Sequence, residues 1–61
     1  MSGVAIVYVV FPDRKNAERV ARHVVEQGLA ACANVLAPCT SFYEWEGQLQ
    51  EATEVPVILK T

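Results

Sequence analysis

The stretch Leu29-Ala-Ala-Cys-Ala-Asn-Val-Leu-Ala-Pro-Cys-Thr-Ser-Phe-Tyr-Glu-Trp-Glu-Gly47 decides how this chain folds. It reads as a helix exit, one very long bent strand and a tight turn. From Ala31 to Trp45 the strand would run to about 50 Å at roughly 3.3 Å per residue, against ~17–20 Å for an ordinary strand. The Ala37-Pro38 step is where it must bend or bulge, because proline is confined to sheet edges and bulges. Glu46-Gly47 makes the turn, with Gly47 supplying the positive φ that a short hairpin loop needs. Gln48 to Thr61 returns as a second long strand. On it Val55, Val57 and Leu59 share one face and Ile58 and Lys60 the other, while Pro56 marks a local edge or bulge. A hairpin this long is more than a domain of 61 residues can cover alone. It points to a protein that works as an assembly.

Working outward, Val4-Ala-Ile-Val-Tyr-Val-Val-Phe11 is apolar on both faces and rich in β-branched residues. That is the pattern of a strand buried on both sides. Pro12 ends it, and Asp13 stands where a helix N-cap belongs. From Arg14 to Gln27 the period changes: Ala17, Val20, Ala21, Val24 and Val25 form the stripe of an amphipathic helix. Glu18 and Arg22 are spaced to pair at i, i+4. Gly28 stops the helix in a left-handed conformation. The order is β-α-β-β, with the first two strands parallel through a right-handed crossover and the third antiparallel, between or beside them. This is the first half of an α+β, ferredoxin-like β-α-β-β-α-β fold. The chain reads as one incomplete domain, residues 1–61, stopping where a second helix is expected.

Composition supports the same picture. Hydrophobic residues make up 52% of the chain and charged residues only 20%, a rich ratio for a small monomer and one that favours a subunit interface. The net charge of -2 argues against nucleic acid, whose binders carry a basic surface. No polybasic membrane patch is present, no run is long enough to span a bilayer, and no secretory signal is visible. Two cysteines do not make a disulfide framework; both are expected as reduced thiols in a cytoplasmic protein.

The segments Leu29-Ala-Ala-Cys-Ala-Asn34, Thr40-Ser-Phe-Tyr-Glu-Trp-Glu-Gly47 and Glu54-Val-Pro-Val-Ile-Leu-Lys-Thr61 resemble the CutA family of divalent-cation tolerance proteins. Pro12-Asp13 and Ala17-Glu-Arg-Val-Ala-Arg22 fit the same pattern. The resemblance implies a ferredoxin-like subunit in a compact homotrimer, with long strands pairing between neighbours, similar in architecture to the PII signalling proteins. The implied role is tolerance of, or response to, divalent metal ions, with copper binding in some bacterial members and no assigned enzymatic reaction. In those members a cysteine implicated in copper binding occupies the position of Val9, and valine cannot ligate a metal. The histidines also implicated there fall beyond Thr61.

Candidate site residues are few. Cys32 offers a soft thiolate suited to copper or zinc, set against the ordinary role of a buried small hydrophobe. Cys39 lies on the opposite face of an uninterrupted strand, although a bulge at Pro38 would bring the two cysteines to one face. With His23 on the outer helix face, the chain lacks the four ligands of a structural zinc site. Tyr43 and Trp45 share a strand face and could line a ligand cleft or pack at an interface. Lys60, a lone cation ending an apolar strand, could hold an anion or a carboxylate of another subunit. Glu44, Glu46, Glu51 and Glu54 flank the hairpin and read as a solvated edge that discourages aggregation rather than a calcium loop. Nucleophile–base pairs and phosphate loops are not apparent, so a non-enzymatic protein is expected. No cofactor is required by this reading; copper or another divalent ion is the candidate ligand. The alternatives are a PII-like small-molecule sensor and a structural or partner-binding trimer.

Overall fold

A computed structural model of the chain describes residues 4–61. The elements run β1 (Ile6–Phe11), α1 (Arg14–Glu26), β2 (Cys32–Val35), β3 (Cys39–Trp45) and β4 (Gln48–Lys60). β4 pairs antiparallel with each of the other strands: with β1 over Val55–Lys60, with β2 over Val57–Lys60 and with β3 over Gln48–Glu54. β1 and β2 therefore run parallel on either flank of β4, as a crossover through α1 requires. This is a partial ferredoxin-like fold. Its β-α-β-β order is the one expected, except that the long strand from Ala31 to Trp45 is divided into β2 and β3.

The division is a bulge. Val35 lies opposite Val57, and Cys39 lies opposite Glu54. The three residues Leu36, Ala37 and Pro38 thus face only two, Val55 and Pro56. The Leu36 N–H donates to the Pro56 carbonyl at 2.9 Å. Within a strand a residue's N–H and C=O point to the same side, so the donor that Pro56 lacks also faces the bulge. A proline in mid-strand is tolerated there because the ladder is already interrupted.

Beyond the bulge the structure changes character. β1 ends opposite Val55, so from Glu54 to Gln48 the strand β4 has β3 as its one partner among the described residues. The chain is a three-stranded body with a helix on one face and a two-stranded arm projecting from it, 44 Å in its longest dimension. At the arm's tip Glu46 and Gly47 have φ of 51° and 76°. Two successive positive φ values in a two-residue loop make a type I′ turn, whose twist matches that of the flanking strands.

The core lies between α1 and the odd-numbered residues of the body sheet. Ala17 and Ala21 of the helix are buried against Val55 and Val57, with Val9, Phe11, Ala33, Val35 and Leu59 packed around them. The small side chains of Ala17 and Ala21 let the helix sit close to β4. Asp13 caps α1, its carboxylate accepting from the Asn16 backbone N–H at 2.8 Å. At the other end Gly28, at φ 74°, closes a Schellman motif: Leu29 N–H bonds the Val24 carbonyl and Gly28 N–H the Val25 carbonyl, each at 3.0 Å.

Two expectations change. The helical stripe is narrower than its periodicity suggests, because Val25 is exposed while Val20 and Val24 are half-buried. The Glu18–Arg22 pair does not form; Glu18 instead accepts from Arg14 at 2.9 Å. Within the chain β1 is covered on one face, the other being the one expected to find its cover on a neighbouring subunit. Ile6 is 66% and Tyr8 60% exposed, since α1 packs on the opposite face, over Val9 and Phe11, and nothing among the described residues covers theirs.

Gly47→Ala should destabilise the complete protein by about 1–2 kcal/mol, the cost of a left-handed L-residue. Glu46→Asn should stabilise it, since asparagine suits the first position of a type I′ turn. Urea denaturation of the two variants beside the parent checks both signs.

Candidate functional site

The even-numbered residues of β1 and β4 define the sheet face turned away from α1. Ile6, Lys60 and Cys32 form one row across it, and Tyr8, Ile58 and Asn34 the next. The bulge then decides which residues of the arm join this face. Cys39 opposes Glu54, Tyr43 opposes Gln50 and Trp45 opposes Gln48, all even-numbered positions of β4. Cys32, Cys39, Tyr43, Trp45 and Lys60 therefore share one side of β4. The extra residue reverses the parity that an uninterrupted strand would impose on the two cysteines.

Sharing a face does not bring these residues together. Cys32 and Cys39 oppose Lys60 and Glu54, positions about 20 Å apart along β4 at the rise of a strand. Trp45, opposite Gln48, is about 40 Å from the Lys60 row on the same measure. Both cysteines are free and half-buried, and the Cys39 Sγ lies 3.9 Å from the Ser41 Oγ. Tyr43 and Trp45 follow one another on this face of the arm, and both are exposed. Lys60 is exposed between Ile6 and Cys32.

The chain's own residues do not fit a complete metal centre. No group of three or more histidine, cysteine or carboxylate side chains converges among the described residues. Cys32, the soft donor, has the Lys60 cation as its cross-strand neighbour. Val9 packs into the helix-side core, away from the exposed face. The carboxylates divide as expected: Glu44 and Glu51 lie on the arm's helix-side face, Glu54 lies on the other, and Glu46 is in the turn. A shallow, solvent-open depression runs along the outside of α1, lined by Lys15, Glu18, Arg19, Arg22, His23 and Glu26. Its charges are exposed and of both signs, so it is the solvated helix surface on which His23 was expected.

The body leaves one apolar sheet face open. Ile6, Tyr8 and Val10 are exposed beside Ile58 and the buried Pro56. Its signal is in β1, apolar on both faces: the chain's own helix covers one, and a neighbouring subunit is the expected cover of the other.

The pattern known as CutA1 divalent ion tolerance protein matches residues 5–61. The chain belongs to the CutA1 family. Protein CutA of Mus musculus is 45% identical over 58 residues, which are 95% of this chain and 33% of the mouse protein. The divalent-cation tolerance protein CutA of Pyrococcus horikoshii is 48% identical over 92% of this chain and 54% of its own length. The solved structure of the periplasmic divalent cation tolerance protein CutA from Archaeoglobus fulgidus superposes with a TM-score of 0.90 at 41% identity. That match covers 97% of this chain and 57% of the archaeal one. The chain thus spans between a third and somewhat over half the length of these CutA relatives. No helix among the described residues is long and apolar enough to cross a membrane.

The spacing of the two thiols makes a simple forecast. Mild oxidation should give no Cys32–Cys39 bond within a chain, because bridged residues need Cα atoms within about 7 Å. Non-reducing peptide mapping that found that crosslink would contradict the register of β2 and β3 on β4.

Proposed function

We propose that the protein carrying this chain serves divalent-metal-ion tolerance as a non-enzymatic homotrimer. The observation that carries the assembly is the open sheet face, where Ile6, Tyr8, Val10 and Ile58 stand together with no cover from the chain's own helix. Exposed apolar patches of this kind are characteristic of subunit interfaces. The arm supports the same reading. An isolated two-stranded ribbon is marginal in water, and its exposed Tyr43 and Trp45 suit packing against another copy. The metal role rests on membership of the CutA1 family and on the names of relatives such as the Pyrococcus horikoshii divalent-cation tolerance protein.

Any copper or other divalent site must draw most of its ligands from another copy or from residues outside this chain. Cys32 is the donor this chain would contribute, being half-buried on the open face.

Sedimentation equilibrium of the complete protein at micromolar concentration should give three chains per particle; a stable monomer would sink the assembly. Calorimetric titration with Cu²⁺, Zn²⁺ and Co²⁺ tests the metal role in the same sample. Binding tighter than about micromolar, worth roughly 8 kcal/mol, is expected. Its loss in Cys32→Ser would assign the thiolate. Binding that Cys32→Ser leaves intact removes Cys32 from the site.

A further inference from the structure

We propose that Arg14 is a strut that sets the attitude of the β3–β4 arm on the body of the fold. The junction between body and arm is poor in hydrogen bonds for three separate reasons. β1 ends opposite Val55, so the arm loses its third strand there. On the other side three residues of the bulge face two of β4. Pro38 and Pro56 stand on the two facing strands of this junction, and each lacks a backbone donor. The last bond before the gap is the one from the Leu36 N–H to the Pro56 carbonyl. Within a single chain, before any packing of the arm on another copy, a ribbon joined to a sheet through such a gap is free to bend unless something outside the ladder holds it.

Arg14 is placed to do so. Its Nη1 donates to the Leu36 carbonyl at 3.1 Å, a bond between residues 22 positions apart in sequence. Among the side-chain hydrogen bonds of the described residues, it alone joins distant elements; the others connect residues four or fewer positions apart. The guanidinium is braced on its other side, where Nε donates to the Glu18 carboxylate at 2.9 Å. Arg14 follows the Asp13 cap at the start of α1, so its backbone is fixed by the helix that packs on β4. The strut therefore runs from the rigid body to the bulge itself. Lysine could reach the carbonyl but could not also hold Glu18 with a second donor in fixed geometry.

The test is hydrogen–deuterium exchange on the complete protein, with Arg14→Gln, Arg14→Lys and the parent compared peptide by peptide. Arg14→Gln should speed exchange in residues 36–45 about two- to tenfold, the range matching one hydrogen bond's net contribution. Residues 17–26 of the helix should keep their parent rates. Arg14→Lys should fall between the parent and Arg14→Gln. Unchanged exchange in residues 36–45 would overturn the proposal. So would a rise that helix and body sheet share equally, because that reports general destabilisation and not release of the arm.

Discussion

Every strand of this chain reaches the others through β4. One thirteen-residue segment is the central strand of the body, flanked by β1 and β2, and then the inner strand of the arm, flanked by β3. Its Val55 and Val57 are also the surface on which Ala17 and Ala21 of the helix rest. Backbone pairing and core packing therefore depend on the same few residues. Alanine at both contact positions lets the helix approach closely, and β4, antiparallel to both, joins the parallel strands β1 and β2 into one sheet. The arm inherits its direction from this strand as well, modified at the one place where the ladder is broken.

Much of this was legible in the sequence, and local chemistry explains which parts. Asp13, Gly28 and Gly47 act through the conformation of a few neighbouring residues, and each performs the role its type dictates. The alternation of Val55, Val57 and Leu59 against Ile58 and Lys60 likewise fixes the faces of β4 from period alone. What was not legible depends on the partner. Pro38 marks where a long strand breaks but not how many residues will lie opposite the break. That number decides whether Cys32 and Cys39 share a face. The apolar run of β1 reports that its residues want cover without saying whose. By helical spacing Arg14 can pair with Glu18; its bond to the Leu36 carbonyl exists only once the helix has been laid on the sheet.

The residues that carry chemistry follow the same division. Cysteine, tyrosine, tryptophan and lysine side chains were picked out by type, and the fold places all of them on one side of β4. It also spreads them along that strand, from the Cys32–Lys60 row at one end to Trp45 at the other. A single chain supplies a donor here and an aromatic there, with no point at which they converge. In this segment of a CutA1-family protein the conspicuous feature among the described residues is an apolar sheet face left open.

The bulge also gives the Leu36–Pro38 segment an unusual relation to length. In most connections an inserted or deleted residue changes only the path of a surface loop. Here the segment works as a counter between two ladders that share one strand. Removing one residue would restore equal numbers on both sides and turn the whole of β3 over. Phe42 and Glu44 would then exchange sides with Tyr43 and Trp45, while the body stayed as it was. Two residues gained or lost would leave the faces in place. In this fold the arm's inner and outer surfaces are set by whether a short stretch of chain is odd or even, a property that no single side chain carries.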